Sequence, residues 1–233
     1  MIAVTLLGTV TDIAYILPIC SHLYKLKNKK IIFVFPDNIE KVDSIVSLLK
    51  LQKFTQDVVL IKYHGNNYKF NPNDYLGTPV DEYYNFFTPI KHFEYPTNFY
   101  ESQHDDFKID YHFALNLDLD FKYDFKKISA TFGLSDIFPN YEIIRDDMDM
   151  LSILRELAYS KERHINFDNI SVYFSLCKLP FYLYLFKKEG GYYINETKEN
   201  FWLKLKNAQI LDIRSFGQDR KIESIYNKIY FNQ

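Results

Sequence analysis

Apolar residues fill positions 2–7 (IAVTLL) almost without interruption and stop at Gly8, the pattern of a strand buried on both faces. Beyond it Ile13, Ile16, Leu17, Cys20, Leu23 and Tyr24 recur every three or four residues, which predicts a helix with Asp12 available to cap it. Pro18 falls inside that pattern, so the spacing predicts either a kink or a later start. A second apolar run at 31–35 (IIFVF), a helix around 42–51 and a third run at 58–62 (VVLIK) follow. Strand, helix, strand, helix, strand is the signature of a parallel sheet with right-handed crossovers. Its first turn, Leu7-Gly8-Thr9-Val10-Thr11-Asp12, is then the mouth of a ligand site, because ligands collect where a parallel strand hands over to a helix.

The periodicity lapses over 64–108, which is rich in Asn, Pro, Tyr and Phe. It reads as a long excursion with short helices, one near 81–87, able to form a substrate-facing lobe. The run 111–121 (YHFALNLDLDF) reads as a strand. Alternation then resumes: strands at 141–145, 163–167, 181–186 and 209–213, with helices at 149–159, 168–178, 199–206 and 218–230 and a turn at 187–191. The expected fold class is α/β, two Rossmann-like parallel-sheet halves in a compact arrangement. The first half, 1–125, carries the excursion, and the second is 126–233.

Composition narrows the function. With 47% hydrophobic residues the chain can bury a substantial core, so a folded rather than disordered chain is expected. A net charge of −2, from 28 basic and 30 acidic residues, provides no global field for a nucleic acid or an anionic membrane. The densest basic cluster, Lys25, Lys27, Lys29 and Lys30, reads as a solvated helix end. Cys20 and Cys177 have neither metal-ligand nor CxxC spacing, and the N-terminal apolar run lacks a basic start and is broken by Asp12. A cytoplasmic protein without a transmembrane segment is expected.

Gly8 is the only glycine in the first turn, and Asp12 would repel a phosphate, so this mouth is a poor phosphate cradle. A carboxylate there suits proton abstraction from an attacking hydroxyl, with a helix cap as the structural alternative. None of the six histidines forms an HExxH-type pair, and no Ser lies in a nucleophile elbow. Asp118 and Asp120 form an Asp-x-Asp triplet whose carboxylates would share a strand face and are weak metal candidates, since Asp147 and Asp149 form another by chance.

The stretch from Ile2 to Pro18 resembles the opening of the ADP-heptose:lipopolysaccharide heptosyltransferase family: a strand, a glycine-containing loop, an aspartate, a helix with an internal proline and a second strand. The segments 135–141, 149–160 and 164–180 resemble that family's donor-binding half in order and spacing, with Asn166 matching its asparagine and Pro180 a later proline. The resemblance covers about 1–62 and 133–186. It implies a GT-B glycosyltransferase with two Rossmann-like halves, a base at Asp12, and acceptor contacts at Gly8, Thr9 and Thr11. The family's Gly-Pro-His and Lys-x-Trp-Pro-like elements are missing, and the chain is shorter by roughly a third. Heptose as the sugar is not supported.

In the second half Asn166, Asp168 and Ser171 fall at a strand end and a helix start, where they can bind ribose or sugar hydroxyls; capping by Asp168 or Asn169 is the alternative. Arg145 could face a donor diphosphate or pair with the carboxylates that follow it. The leading expectation is a metal-independent hexosyl- or pentosyltransferase that needs no cofactor. It would move a sugar from a nucleotide-sugar donor to a glycan hydroxyl or a hydroxymethylated DNA base. The rivals are a noncatalytic nucleotide- or sugar-binding module and a protein-interaction module using 64–108.

Overall fold

A computed structural model of the chain describes residues 1–62, 74–77, 79–87, 108, 110–119, 128–135, 141–145, 147–166, 168–185 and 208–212. The chain divides into two units, Met1–Leu119 with Asp149–Leu151, and Asp120–Met148 with Ser152–Gln233. Each is built on an all-parallel sheet, so the α/β class and the Rossmann-like character of both halves are seen directly.

In the first unit the strands are β1 (Ile2–Leu7), β2 (Ile31–Pro36), β3 (Thr55–Ile61) and β4 (Glu82–Phe87), in the order β3-β2-β1-β4. Ile2 to Leu6 and all of β2 are buried, as expected of central strands covered on both faces. On β2 alternate side chains serve opposite faces. Ile32 and Val34 cluster with Ile61, while Phe33 stacks on Phe35 and meets Phe54, which in turn meets Phe113.

Helix α1 (Val10–Lys27) joins β1 to β2 and runs unbroken through Pro18. Every residue from Ile13 to Ser21 is buried, which the three- and four-residue spacing alone understated. The helix starts earlier than Asp12 suggested, because Thr9 is the N-cap and Asp12 is the third helical residue of a capping box. Instead of one helix over 42–51 there is a 3₁₀ turn, Val42–Ile45, followed by α2 (Val46–Lys50).

Two expectations in the first unit fail. The helix expected near 81–87 is strand β4, paired in parallel with β1 from Ile2↔Glu82 to Leu7↔Phe87. Its sequence EYYNFF is aromatic, and burial of Tyr84 and Phe86 against exposure of Tyr83 shows the two-residue period of a half-buried strand. The rest of the 64–108 excursion falls largely outside the described residues. The strand expected at 111–121 is not formed over 111–119. Phe113, Leu115 and Leu117 are buried as alternation requires, but Gln52 substitutes for a partner strand. Its side chain accepts from Asn116 N at 2.9 Å and donates to the Asn116 carbonyl at 3.0 Å.

The lysine cluster is neutralised locally. Lys25 pairs with Asp110 at 2.6 Å, Lys27 with Glu82 at 3.5 Å, and Lys29 with Asp81 at 3.2 Å. Burial raises the Asp110 carboxyl, but hydrogen bonds from Lys25 and Ser21 more than offset that and hold it below the ordinary carboxylate range. Its backbone N–H donates to the Pro18 carbonyl, which fastens this segment along α1.

The second unit contains β5 (Ile128–Thr131), β6 (Glu142–Ile144), β7 (Glu162–Asn166), β8 (Phe181–Leu185) and β9 (Ala208–Asp212), ordered β6-β5-β7-β8-β9. Helix α3 (Met150–Tyr159) precedes β7, and α4 (Asn169–Ser175) precedes β8. Strand β5 was not anticipated, being only four residues of mixed polarity near the start of the second half. Arg163 is buried under this sheet. Its guanidinium donates to the carbonyls of Leu157 and Ala158 at the end of α3 and of Pro180 before β8. His164 is fully buried, 2.8 Å from the Tyr184 hydroxyl and stacked on Tyr182 at 5.0 Å, and burial pushes it down to about 4. Cys20 and Cys177 are free thiols, both raised by burial. The turn at 187–191 and the helices at 199–206 and 218–230 lie outside the described residues.

Candidate functional site

In a parallel sheet, the strand order reverses where successive crossovers change side, and that reversal opens a crevice beyond the carboxyl ends of two adjacent strands. The first unit winds β1 to β2 to β3 in one direction and returns to place β4 on the other side of β1. The second winds β5 to β6 and then places β7 on the other side of β5. The two reversals therefore fall between β1 and β4 and between β5 and β7. They are topologically equivalent, each flanking the first strand of its unit.

The same polar pair occupies both. In the first unit the Thr5 hydroxyl of β1 bonds to the Asn85 carboxamide oxygen of β4, its register partner. In the second, the Thr131 hydroxyl of β5 bonds to the Asn166 carboxamide oxygen of β7. Both threonines are 1% exposed and both asparagines are half-buried. At the second pair Thr131 Oγ1 accepts the Asn166 backbone N–H at 3.1 Å and donates to Asn166 Oδ1. Neither Asn85 Nδ2 nor Asn166 Nδ2 makes a hydrogen bond among the described residues. Each switch point thus holds a carboxamide by its oxygen; Thr131 and Asn166 are the last residues of β5 and β7, whereas Thr5 and Asn85 lie two residues before the ends of β1 and β4.

The first mouth continues through Gly8 and Thr9 into α1. Thr9 N and Thr9 Oγ1 both donate to Asp12 Oδ2, each at 2.7 Å, while Asp12 N donates back to Thr9 Oγ1 at 3.3 Å. Asp12 is therefore held in a fixed rotamer, with Oδ2 engaged and Oδ1 accepting no hydrogen bond among the described residues. Thr11, one residue before it, is half-buried.

The second mouth leads from Asn166 to the cap of α4. Asp168 Oδ1 accepts from Ile170 N at 2.8 Å and Ser171 N at 3.1 Å. Ser171 Oγ accepts from Asp168 N at 3.2 Å and donates to the Asp168 carbonyl at 2.8 Å. This closed box engages Asp168 Oδ1 and the Ser171 hydroxyl in capping α4, and Ser171 is only 1% exposed. Asn169 is exposed on the first turn. Across β5, the 3₁₀ turn Phe132–Leu134 follows Thr131 directly and touches β7.

Arg145 pairs with Asp147 at 2.8 Å, with both side chains well exposed, so it is engaged by one of the carboxylates that follow it. Asp118 has a left-handed backbone, φ 49°, and its N–H is bound by the Asn116 side chain. The strand alternation invoked for the Asp118 and Asp120 pair is therefore not present at Asp118, and Asp120 lies outside the described residues. Among the described residues no group of three or more His, Cys, Asp or Glu could hold a metal ion. No described helix is long and apolar enough to cross a membrane.

Sequence patterning singled out Asn166 but missed Thr5, Asn85 and Thr131. Thr5 is a lone hydroxyl in an otherwise apolar two-face-buried run, and Asn85 a lone amide in an aromatic one. A polar residue inside such a run is the signal that finds them. Comparison with protein-family models, curated proteins and solved structures returned no match to this chain.

Proposed function

We propose that the chain is a metal-independent glycosyltransferase of the GT-B kind, moving a hexosyl or pentosyl group from a nucleotide sugar to an acceptor hydroxyl. The observation that carries this reading is the repeated switch point: two all-parallel sheets, each with a threonine-anchored carboxamide at its reversal. Glycosyl transfer from a nucleotide donor needs two ligand sites, and the duplicated reversal supports that reading.

Both mouths carry a capping aspartate, Asp12 engaging Thr9 through Oδ2 and Asp168 engaging two backbone N–H groups through Oδ1. The Asn166 side offers an amide donor next to a helix start and suits the oxygen-rich donor. The Thr9–Asp12 side offers an oriented carboxylate and suits the acceptor. In the proposed step the acceptor hydroxyl gives its proton to Asp12 Oδ1 as its oxygen bonds to the anomeric carbon. The bond from that carbon to the donor diphosphate breaks, and its electron pair leaves with the diphosphate. On the second unit, the Asn166 side-chain amide is the group proposed to hydrogen-bond the donor. Glycan hydroxyls and hydroxymethylated bases both meet the acceptor requirement.

The capping box favours one alternative, a noncatalytic nucleotide- or sugar-binding module in which Asp12 serves α1 alone. The experiment is a thermal-shift screen against nucleotide sugars followed by a transfer assay with the stabilising donor. A ligand at 100 times its dissociation constant adds about 2.7 kcal/mol. Binding with loss of transfer in Asp12→Asn supports the enzyme. Binding with no transfer to either acceptor class supports the module, and no binding of any nucleotide sugar removes both.

A further inference from the structure

Phe132 is the most exposed large hydrophobic side chain among the described residues, at 56%. A lone exposed phenylalanine on a surface loop needs no explanation. This one directly follows Thr131, the residue whose hydroxyl holds the Asn166 carboxamide at the second switch point. Its backbone is fixed. The Ser135 N–H donates to the Phe132 carbonyl at 3.0 Å, closing the turn, and Leu134 is fully buried as its anchor. Among the described residues of this segment Leu134 is buried and Ser135 half-buried, so Phe132 is its one exposed apolar side chain.

Resting on the donor reading above, we infer that Phe132 and the Thr131–Asn166 pair form the nucleoside subsite of the second unit. Phe132 supplies a flat apolar face for the base, and Asn166 Nδ2 donates to an acceptor oxygen on the nucleoside. Bases offer a π-face whatever their identity, so the ring contributes affinity and the amide contributes selection. A free phosphate or pyrophosphate has no such face. A nucleoside diphosphate has both the face and the acceptors.

The test is calorimetric titration of the full chain with ADP, UDP, GDP and CDP, with inorganic pyrophosphate as the base-free probe. Phe132→Ala should weaken the preferred nucleoside diphosphate by roughly tenfold, the size of one base–aromatic stack, and leave pyrophosphate unchanged. Phe132→Trp should restore binding to within about twofold of wild type. Because Phe132 is exposed, both variants should melt within about 1 °C of wild type. Equal binding of Phe132→Ala and wild type overturns the subsite and leaves the donor reading standing, as does a wild type that binds pyrophosphate as tightly as any of the nucleotides. If wild type binds none of the four nucleotides, the donor reading itself fails, and the subsite with it.

Discussion

Asp12 is where capping and catalysis make different predictions. Its carboxylate takes two hydrogen bonds from Thr9 and places a negative charge at the positive end of α1. Asp12→Ala removes both, at about 1 kcal/mol for the cap and about 0.5 kcal/mol for the charge. For a chain of this size a kilocalorie is worth roughly 2–4 °C, so the melting temperature should fall by about 3–6 °C. Asp12→Asn keeps a carbonyl oxygen for Thr9 and loses only the charge, a fall of about 1–2 °C. Removing a general base costs roughly 10²- to 10⁴-fold in transfer rate, far beyond what so small a loss of stability could produce at 25 °C. The assay pairs calorimetric melting with initial transfer rates for wild type and both variants. If Asp12→Asn transfers at the wild-type rate, the base assignment is wrong. If it destabilises as much as Asp12→Ala, the stability argument from the capping hydrogen bonds is wrong.

Other predictions follow from the second unit. Thr131→Val keeps the shape but strips the acceptor from the Asn166 N–H and the donor from its carboxamide. It should cost about 1–3 kcal/mol in urea unfolding, and an unchanged midpoint would mean that the pair is not coupled. Arg163→Ala removes charge-assisted bonds to three carbonyls around α3 and β8. It should cost about 3 kcal/mol or more, with Arg163→Lys intermediate because an ammonium cannot span all three. His164 titrates near 4 when folded and near 6.5 when unfolded, so between those values the unfolded chain binds the extra proton. Its contribution is therefore complete above pH 6.5 and declines toward pH 4, by as much as about 3 kcal/mol. Carboxylates held below their ordinary range, such as Asp57 and Asp110, add their losses only at lower pH. Melting followed from pH 7.5 to 4.5 should show a decline that His164→Phe flattens, and an identical profile in that variant would refute this origin.

What the sequence revealed and concealed has a common physical basis. Strands covered on both faces announce themselves as apolar runs, so β1, β2 and β8 were legible, and β7 and β9 nearly so. Strand β4 was hidden because aromatic residues in a low-periodicity segment carry little directional signal, and only pairing with β1 settles its conformation. Strand β5 was hidden by its length, since four residues of ISAT do not establish a period. The segment 111–119 shows the converse: its alternation is real and buries Phe113, Leu115 and Leu117, yet Gln52 and Asn116 replace the ladder. At the site, Asn166 and Asp168 could be placed at a strand end and a helix start. Which asparagine is anchored by which threonine depends on contacts 35 and 80 residues apart, and no local pattern encodes them.

Asparagine-selective ¹⁵N labelling makes the two anchored carboxamides visible together, with Asn85→Ser and Asn166→Ser assigning their side-chain signals. Titrating the labelled protein with a panel of nucleotide sugars tests the account most directly. It predicts that one donor shifts the Asn166 side-chain amide in a saturable way while leaving that of Asn85 in place. A panel in which every nucleotide sugar leaves the Asn166 signal unmoved at millimolar concentration would contradict it.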